Sequence, residues 1–356
     1  MVGASLPFPR ASGLSEWGAR LRRSGGPTRW RWMRRCGTMG AQHPEPTAAG
    51  PQSAKDNNVT PRTDDGRSAK AVFGCIGLAL ALSVNAALAE TRLILLDALP
   101  LPNVDHTFAG ISGVEMSPRG KTGTFVTDRG FMYNVTFLRN GDRLQKMHIK
   151  RVEWPIPGGD IEGIATLNDG KVYLSGEGPA LVVRIAQHRP NCLAPHPDFI
   201  EFEANKSLEA LAIADDGRLL TLPERPLSGR DLPIYQLHDE TWSILRRIPF
   251  DPSFLPVGAD VGPDGNFYLL ERSFSLLGFR SRIRRFNLAN PESEIQHLLT
   301  THVGQHDNLE GLSVWRDQED RLRITMVSDD NFNPFQRSEI VEYMFAQDLA
   351  QGQRQD

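Results

Sequence analysis

The sequence contains few cysteines. Two of its three, Cys36 and Cys75, precede the segment that we interpret below as the folded domain, which leaves Cys192 as the cysteine within it. A framework of disulfides inside that domain is therefore excluded, although such frameworks are common in exported proteins. We expect its stability to come from a hydrophobic core and from the closure of its sheets.

The sequence also lacks an excess of charge of one sign, since the formal net charge is −3 over 356 residues. No basic field would gather nucleic acid or an anionic membrane surface, so we expect no nucleic-acid partner. The G-x-S-x-G motif of serine esterases, the P-loop and the dinucleotide-binding fingerprint are absent as well. These absences argue against a serine nucleophile and against nucleotide cofactors.

The most apolar run, residues 71–89, follows Arg67 and Lys70 and ends in Ala87-Leu88-Ala89. This order is typical of a signal peptide, which we assign to residues 67–89 with cleavage after Ala89. The prediction is a periplasmic or secreted protein with no membrane span after cleavage. A retained anchor is the alternative, because the run has about the length that crosses a bilayer. Residues 1–66 are interpreted as a disordered extension, or as sequence upstream of the true start of translation.

One pattern recurs five times: an acidic or small residue, Gly or Ala, an apolar run, a turn, a second apolar run and an acid. Its small residues are, in order, Gly113, Gly163, Ala210, Gly258 and Gly311. The gaps of 50, 47, 48 and 53 residues between them indicate one copied supersecondary unit. Three of the turns contain Asp-Gly, a dipeptide that accepts the positive φ of a tight hairpin turn.

Further strand-like runs follow each hairpin, for example 181–186 and 199–202 in the second unit. Four strands per unit predict an all-β fold, the β-propeller of four-stranded blades. The fifth unit ends after its third strand, 339–345, and residues 91–97 form an unassigned strand before the first unit. Pairing these two strands would close the ring and remove its free edges. We predict five blades within residues 90–346, with six as the alternative, and a polar tail at 347–356.

Polar residues recur where each hairpin begins and ends, which places them at one mouth of the central channel if the hairpins are innermost. Reflecting the hairpins about their turns sets Glu162 opposite Glu177 and Glu209 opposite Glu224. Facing carboxylates destabilise a sheet unless a cation or an arginine lies nearby. The residues predicted at this mouth are Asp128, Arg129, Glu162, Glu177, Glu209, Glu224, Arg225, Asp260, Glu271, Arg272, Asn308, Glu310, Asp329, Asp330 and Asn331.

These residue types indicate two kinds of chemistry. Carboxylate and amide oxygens suit Ca²⁺, whereas arginines can bind a phosphate or carboxylate ligand or can bridge acids of neighbouring blades. The alternative for the whole rim is a structural one, in which ion pairs hold the blades together and residues 328–333 cap their own turn. We assign metal binding to Glu162, Glu177, Glu209, Glu224, Asp260 and Glu271, ligand binding to Asp128, Arg129, Asn308 and Asn331, and catalysis to Glu310, Asp329, Asp330, Arg225 and Arg272.

Four segments of this chain are distinctive: DIEGIATLNDGKVYLSGE, LPVGADVGPDGNFYLLERSF, DNLEGLSVW and SDDNFNPFQR. They resemble the phytase-like propellers of bacteria, a family described by an esterase-like activity. The resemblance covers residues 105–345 and implies an exported propeller that hydrolyses a phosphate ester with the help of Ca²⁺. The DDPAIW-type signature of alkaline propeller phytases and the RHG motif of histidine acid phosphatases are absent, which argues against phytate as the substrate.

Three functions are compatible with these residues. The first is a metal-assisted hydrolase of a phosphate ester or related ester, with a small anionic molecule as its substrate. The second is a lactonase-type propeller, in which Glu177, Asn308 and Asp329 would hold one central divalent ion. The third is a propeller without catalysis that binds a ligand or partner in its mouth. Dependence on a metal separates the first two from the third.

Overall fold

The computed structural model describes residues 92–152, 160–167, 169–186, 189–203 and 205–348. The predicted extension, the predicted signal peptide and residues 349–356 of the predicted tail lie outside these ranges. Within the described ranges, no helix is both long and apolar enough to cross a membrane.

The described residues form strands and two short 3₁₀ helices, Pro118–Gly120 and Pro197–Ile200. In chain order the strands are β1 (Leu93–Pro100), β2 (Ile111–Met116), β3 (Thr122–Thr127), β4 (Met132–Asn140), β5 (Arg143–Val152), β6 (Ile161–Thr166), β7 (Val172–Gly176), β8 (Leu181–Ala186), β9 (Arg189–Cys192), β10 (Leu208–Ile213), β11 (Leu219–Pro223), β12 (Asp231–His238), β13 (Thr241–Pro249), β14 (Leu255–Val261), β15 (Asn266–Ser275), β16 (Gly278–Asn287), β17 (Gln296–Thr300), β18 (Asn308–Arg316), β19 (Leu322–Asp329) and β20 (Glu339–Phe345).

These strands make five antiparallel sheets of four strands each, which confirms the predicted five-bladed propeller. The innermost strands β2, β6, β10, β14 and β18 pack side by side in that order, and β18 returns to β2. The fifth blade has the order β1-β20-β19-β18, so the first strand of the propeller completes its last sheet. Leu93 pairs with Phe345 and Pro100 with Glu339, which confirms the predicted closure of the ring.

One predicted strand is wrong. Residues 199–202 do not form the fourth strand of the second blade, which is β9, and instead begin within the helix Pro197–Ile200. Pro197 has the fixed φ that starts a helix, and Nδ1 of His196 accepts a hydrogen bond from the N–H of Asp198 at 3.1 Å. Phe199 is buried against Tyr235 of the third blade, so its apolar character reflects packing between blades.

Apolar side chains fill the interfaces between neighbouring blades. Leu309 and Leu312 of β18, for example, join Val257 and Leu270 of the fourth blade in one buried cluster. Comparable clusters lie at the other four interfaces. Burial of this apolar surface is the main force that holds the ring together.

Two glycines of the repeat lie where neighbouring inner strands approach each other most closely. A Cβ atom at Gly258 would overlap the carbonyl oxygen of Glu310, and one at Gly311 would lie 2.9 Å from the nitrogen of Val114. A side chain at either position would therefore push the next blade away. The repeated small residue is explained by this contact between backbones.

The substitution Gly258→Ala is expected to lower the free energy of unfolding by about 2 kcal/mol, because the backbone of the fifth blade must move. Gly163→Ala is the matched control, since its Cβ would lie 3.2 Å from the nearest backbone atom, the nitrogen of Leu211, and 2.9 Å from the Cβ of Leu211. These contacts need a smaller backbone shift than the overlap at Gly258, and the hydroxyl of Ser175 can rotate away, so we expect a smaller loss. Urea denaturation of both variants measures the difference, and equal losses would contradict a special backbone contact at Gly258.

Candidate functional site

A β-bulge lies near the start of every innermost strand. In β6, Ile161 pairs with Gly176 and Gly163 with Ser175, so Glu162 is the extra residue between them. A bulge of this kind re-aims the side chain of the extra residue. The extra residues of the five bulges are Ser112, Glu162, Glu209, Val257 and Glu310. The four polar ones lie at one level of the channel, whereas Val257 is buried in the apolar cluster between the fourth and fifth blades.

The predicted facing pairs are wrong by two residues, one from the hairpin turn and one from the bulge. The N–H of Glu177 donates to the carbonyl of Asp160, and that of Glu224 to the carbonyl of Ser207, each at 2.9 Å. Asp160 was missed by the sequence analysis. It occupies the position that Asn308 has in the fifth blade, where Asn308 faces Asp329. Extending each compared repeat by one residue toward the N-terminus would have revealed Asp160.

A second level of side chains lies just beyond the first, where the second strand of each hairpin ends. Four blades place an acid there, and the fourth blade places Arg272 there instead. The residues at this level are Asp128, Glu177, Glu224, Arg272 and Asp329. With Asp160 and three bulge residues, the mouth contains the carboxylates Asp128, Asp160, Glu162, Glu177, Glu209, Glu224, Glu310 and Asp329.

Arg272 contacts this group of acids directly. Nη1 of Arg272 donates a hydrogen bond to Oδ1 of Asn308 at 2.7 Å and another to the carboxylate of Glu310. Nδ2 of Asn308 donates to the same carboxylate at 2.8 Å. The side chain of Arg272 is 23% exposed and that of Glu310 is 14% exposed, so this ion pair is largely shielded from water.

The remaining acids are held in an environment that disfavours their charge. Burial, reinforced by Glu310, raises the pKa of Asp329 to about 8. Burial also raises the pKa of Asp128 to about 6. The pKa of Glu162 is raised well above its usual range by burial and by the neighbouring acids, among them Glu310 and Glu177. Carboxylates this close cannot all be ionised beside one arginine, so the mouth must take up protons or cations.

Three of these carboxylates could share one ion. Asp160, Glu162 and Glu177 each place an oxygen within 4.8 Å of the others. Oε1 of Glu177 accepts the N–H of Ser207 at 2.8 Å, which fixes its position, and the buried Oδ1 of Asp128 has no hydrogen-bond partner. Oxygen donors alone are the ligands that Ca²⁺ prefers, so the residues present fit this ion.

A second acidic group, formed by Asp142, Asp317 and Glu319, differs in its charge balance. Oδ2 of Asp317 accepts from Nε of Arg321 at 2.9 Å and from Nε of Arg323 at 2.8 Å. Two guanidinium groups therefore neutralise this group from within the protein. We interpret it as an ion-pair network that joins the fifth and first blades.

Two of the predicted metal ligands do not lie with the others. Asp260 is near the opposite end of the channel, where it lines a cavity of about 850 Å³ together with Glu115. Its carboxylate accepts the N–H groups of Val314 at 2.6 Å and Val261 at 2.7 Å, and burial raises its pKa to about 7. The prediction that Asp260 lies at the carboxylate-rich mouth is therefore wrong.

Glu271 precedes Arg272 on β15, and alternation places its side chain on the other face of the sheet. Its carboxylate accepts from Nε of Arg282 at 2.7 Å and from Nε of Arg284 at 2.8 Å, and the side chain is 1% exposed. Two arginines occupy its oxygens inside the blade. The prediction of Glu271 as a metal ligand at the mouth is wrong, and the ion-pair alternative describes it correctly.

In the loop after β19, part of residues 328–333 caps its own turn, as the structural alternative predicted. Oδ1 of Asp330 accepts the N–H of Phe332 at 3.0 Å, and Oδ2 accepts the hydroxyl of Ser338 at 3.0 Å. Asn331 has a φ of 48° and donates its N–H to Asp329 at 2.8 Å. Asp330 therefore shapes this loop, while Asp329 belongs to the group of acids in the mouth.

Two further arginines lie at the edge of the mouth. The guanidinium of Arg129 stacks on the ring of Phe332, with 3.4 Å between Cζ and the ring centroid. Nε of Arg225 lies 3.8 Å from Oε2 of Glu224, and the Arg225 side chain is 42% exposed. Both side chains are accessible enough to contact an anionic molecule at the mouth.

The fold and this site define a five-bladed β-propeller with a carboxylate-rich mouth at one end of its channel. The family model described as phytase-like, esterase-like activity of phytase, matches residues 106–332. The chain therefore belongs to the phytase-like family, which confirms the resemblance stated from the sequence. None of the curated proteins compared with the chain matches it.

Solved structures with low identity share parts of the fold. Virginiamycin B lyase from Staphylococcus aureus is 15% identical, covers 71% of this chain and 74% of its own, and has a TM-score of 0.36. The PQQ-bound aldose sugar dehydrogenase from Streptomyces coelicolor is 11% identical, with 71% and 98% covered and a TM-score of 0.41. The catalytic domain of an α-L-arabinofuranosidase from Coprinopsis cinerea is 11% identical, with 72% and 98% covered and a TM-score of 0.46. Similarities this weak carry no argument about function.

Proposed function

We propose that the protein is an exported, Ca²⁺-dependent hydrolase of a phosphate ester or a related ester. The observation that carries this proposal is the cluster of Asp160, Glu162 and Glu177. These acids lie in a mouth where carboxylates far outnumber arginines, even with Arg272 included. The description of the family as esterase-like supports the class of reaction. The predicted signal peptide supports a periplasmic or secreted location.

The residues of the mouth suggest distinct roles. Bound Ca²⁺ would supply positive charge that stabilises the oxygens of the reacting ester. Arg225 and Arg129 are placed at the edge to bind an anionic group of the substrate. Asp329 has a pKa of about 8, so it keeps a proton at neutral pH that it can donate to a leaving oxygen. Glu310, ion-paired with Arg272, is the candidate to accept a proton from water.

The lactonase-type alternative receives less support. Its ligand set needs an oxygen of Asn308, yet Oδ1 of Asn308 already accepts a hydrogen bond from Arg272 at 2.7 Å. An ion at that place would lie next to the guanidinium group of Arg272. The set formed by Asp160, Glu162 and Glu177 has no such conflict.

The proposal is tested with a panel of phosphate monoesters, carboxylic esters and lactones, each assayed with Ca²⁺ and with a chelator. Glu162→Gln is expected to lower the rate about a hundredfold at limiting Ca²⁺, because it removes a charged ligand. Glu310→Gln and Asp329→Asn should lower the rate at saturating Ca²⁺ as well. Asp215→Asn, an exposed acid at the opposite mouth, is the matched control and should leave the rate unchanged.

Two results would reject the proposal. The first is that Ca²⁺ changes neither the melting temperature nor any hydrolytic rate. The second is that Glu162→Gln, Glu310→Gln and Asp329→Asn all retain the rate of the wild-type protein. The first result would favour a propeller without metal-dependent catalysis, and the second would place the active site away from this mouth.

A further inference from the structure

The turn between β15 and β16 exposes an unusual amount of apolar surface. Leu276 is 102% exposed, Leu277 84% and Phe274 69%. Val303, which is 41% exposed, lies beside this turn, since a Cβ at Gly278 would be 3.8 Å from it. Single exposed apolar residues are common, but contiguous ones mark sites of interaction.

Contacts within the hairpin support the shape of this apolar turn. The rings of Phe274 and Phe279 pack across the hairpin with their centroids 4.9 Å apart. The hydroxyl of Ser275 donates to the carbonyl of Gly278 at 3.1 Å and accepts the N–H of Leu277 at 3.3 Å. A surface that is already ordered loses little conformational freedom when it binds a ligand.

The turn continues the strand that carries Arg272 into the mouth. At the rise of an extended strand, Leu276 lies about 13 Å along the chain from Arg272. The pairing of β15 with β16 is regular from Arg272 to Ser275, so Phe274 shares the strand face of Arg272. On the neighbouring blade, the loop that follows Asp329 exposes Phe335 to 93%. Apolar side chains thus stand beside the acidic mouth on two adjacent blades.

We propose that the substrate is an amphiphile with a hydrocarbon chain, such as a long-chain ester or an alkyl phosphate, which rests on the proposed hydrolase function. Its chain lies on Phe274, Leu276 and Leu277, while its ester or phosphate group reaches the mouth beside Arg272. The continuity of strand β15 joins the two parts of the site.

The test measures the binding of butyl phosphate and octyl phosphate by calorimetry in the presence of Ca²⁺. In the wild-type protein, the octyl compound is expected to bind about tenfold more tightly, as the extra methylenes leave water. In the double variant Leu276→Ser, Leu277→Ser this ratio should fall to about one, with butyl phosphate bound as before. Leu138→Ser, 46% exposed on the first blade, is the control and should keep the ratio. Melting temperatures check that all variants are folded.

Equal affinities for the two compounds in the wild-type protein, or no binding of either, would overturn the inference. A second result would also overturn it: the protein sediments with phosphatidylcholine vesicles, this depends on Leu276 and Leu277, and the affinities for butyl and octyl phosphate are equal. That combination would identify a membrane surface as the ligand instead. Hydrolysis of the short and long esters is assayed separately. A chain-length effect on binding without hydrolysis would reject the proposed reaction while supporting the amphiphile site, so the two failures can be distinguished.

Discussion

Replacing Arg272 by methionine is expected to lower the free energy of unfolding by about 4 kcal/mol at pH 7.5 in the presence of a chelator. Methionine preserves part of the apolar length of the side chain but removes its charge. Glu310 would then lose its ion pair, and Asn308 would lose a hydrogen-bond donor. Removing one partner of a shielded ion pair is costly because the remaining charge stays poorly solvated. Urea denaturation followed by fluorescence measures the loss.

The matched control is Arg225→Met at the same mouth. Arg225 is 42% exposed and its nearest carboxylate oxygen is 3.8 Å away, so its loss should cost less than about 1 kcal/mol. Saturating Ca²⁺ should restore part of the stability of Arg272→Met, because a bound cation replaces the lost positive charge. Equal losses in the two variants would contradict the central place of Arg272 among these acids.

Without Ca²⁺, the wild-type protein is expected to become less stable as the pH rises from about 4 to about 8. The folded protein raises the pKa of Asp329 from 3.8 to about 8, so it retains a proton that the unfolded chain releases. The stabilising effect of that proton is complete below pH 4 and is lost as the pH passes the folded pKa. For Asp329 alone the loss is on the order of 5 kcal/mol, and Asp128 adds to it up to about pH 6.

Denaturation of the chelated protein at several pH values between 4 and 8 tests this expectation. Asp329→Asn should flatten the profile, because its amide has no proton to lose in this range. Acids such as Asp317 have a lowered pKa, so their stabilising effect is lost only below about pH 4 and does not obscure the window. Stability that stays constant or rises from pH 4 to 8 would contradict the assignment. Added Ca²⁺ should stabilise the protein more at pH 8 than at pH 4, since the carboxylates of Asp160, Glu162 and Glu177 must be ionised to bind it.

Much of the fold could be predicted because its causes are local. The Asp-Gly turns require a positive φ, and Gly170, Gly217 and Gly265 have φ values of 83°, 84° and 73°. The incomplete last unit and the spare first strand predicted the pairing of β1 with β20, since free edges are avoided. The segment 199–202 was misread because residues buried between blades look like strand residues whichever backbone they adopt.

The sequence by itself determined the number of units, their closure into a ring and the concentration of acids at hairpin ends, because spacing and turn chemistry follow from the order of residues. Only the tertiary structure decided which acids meet. The hairpin turn and the bulge together shift the register by two residues, which separates Glu162 from a facing position and places Asp160 opposite Glu177. Side chains alternate along β15, so Glu271 contacts two arginines inside the blade while Arg272 points into the mouth. Asp260 lies near the far end of β14 and therefore at the other end of the channel. These outcomes depend on hydrogen bonds between strands and on contacts between blades, neither of which a single strand's sequence specifies.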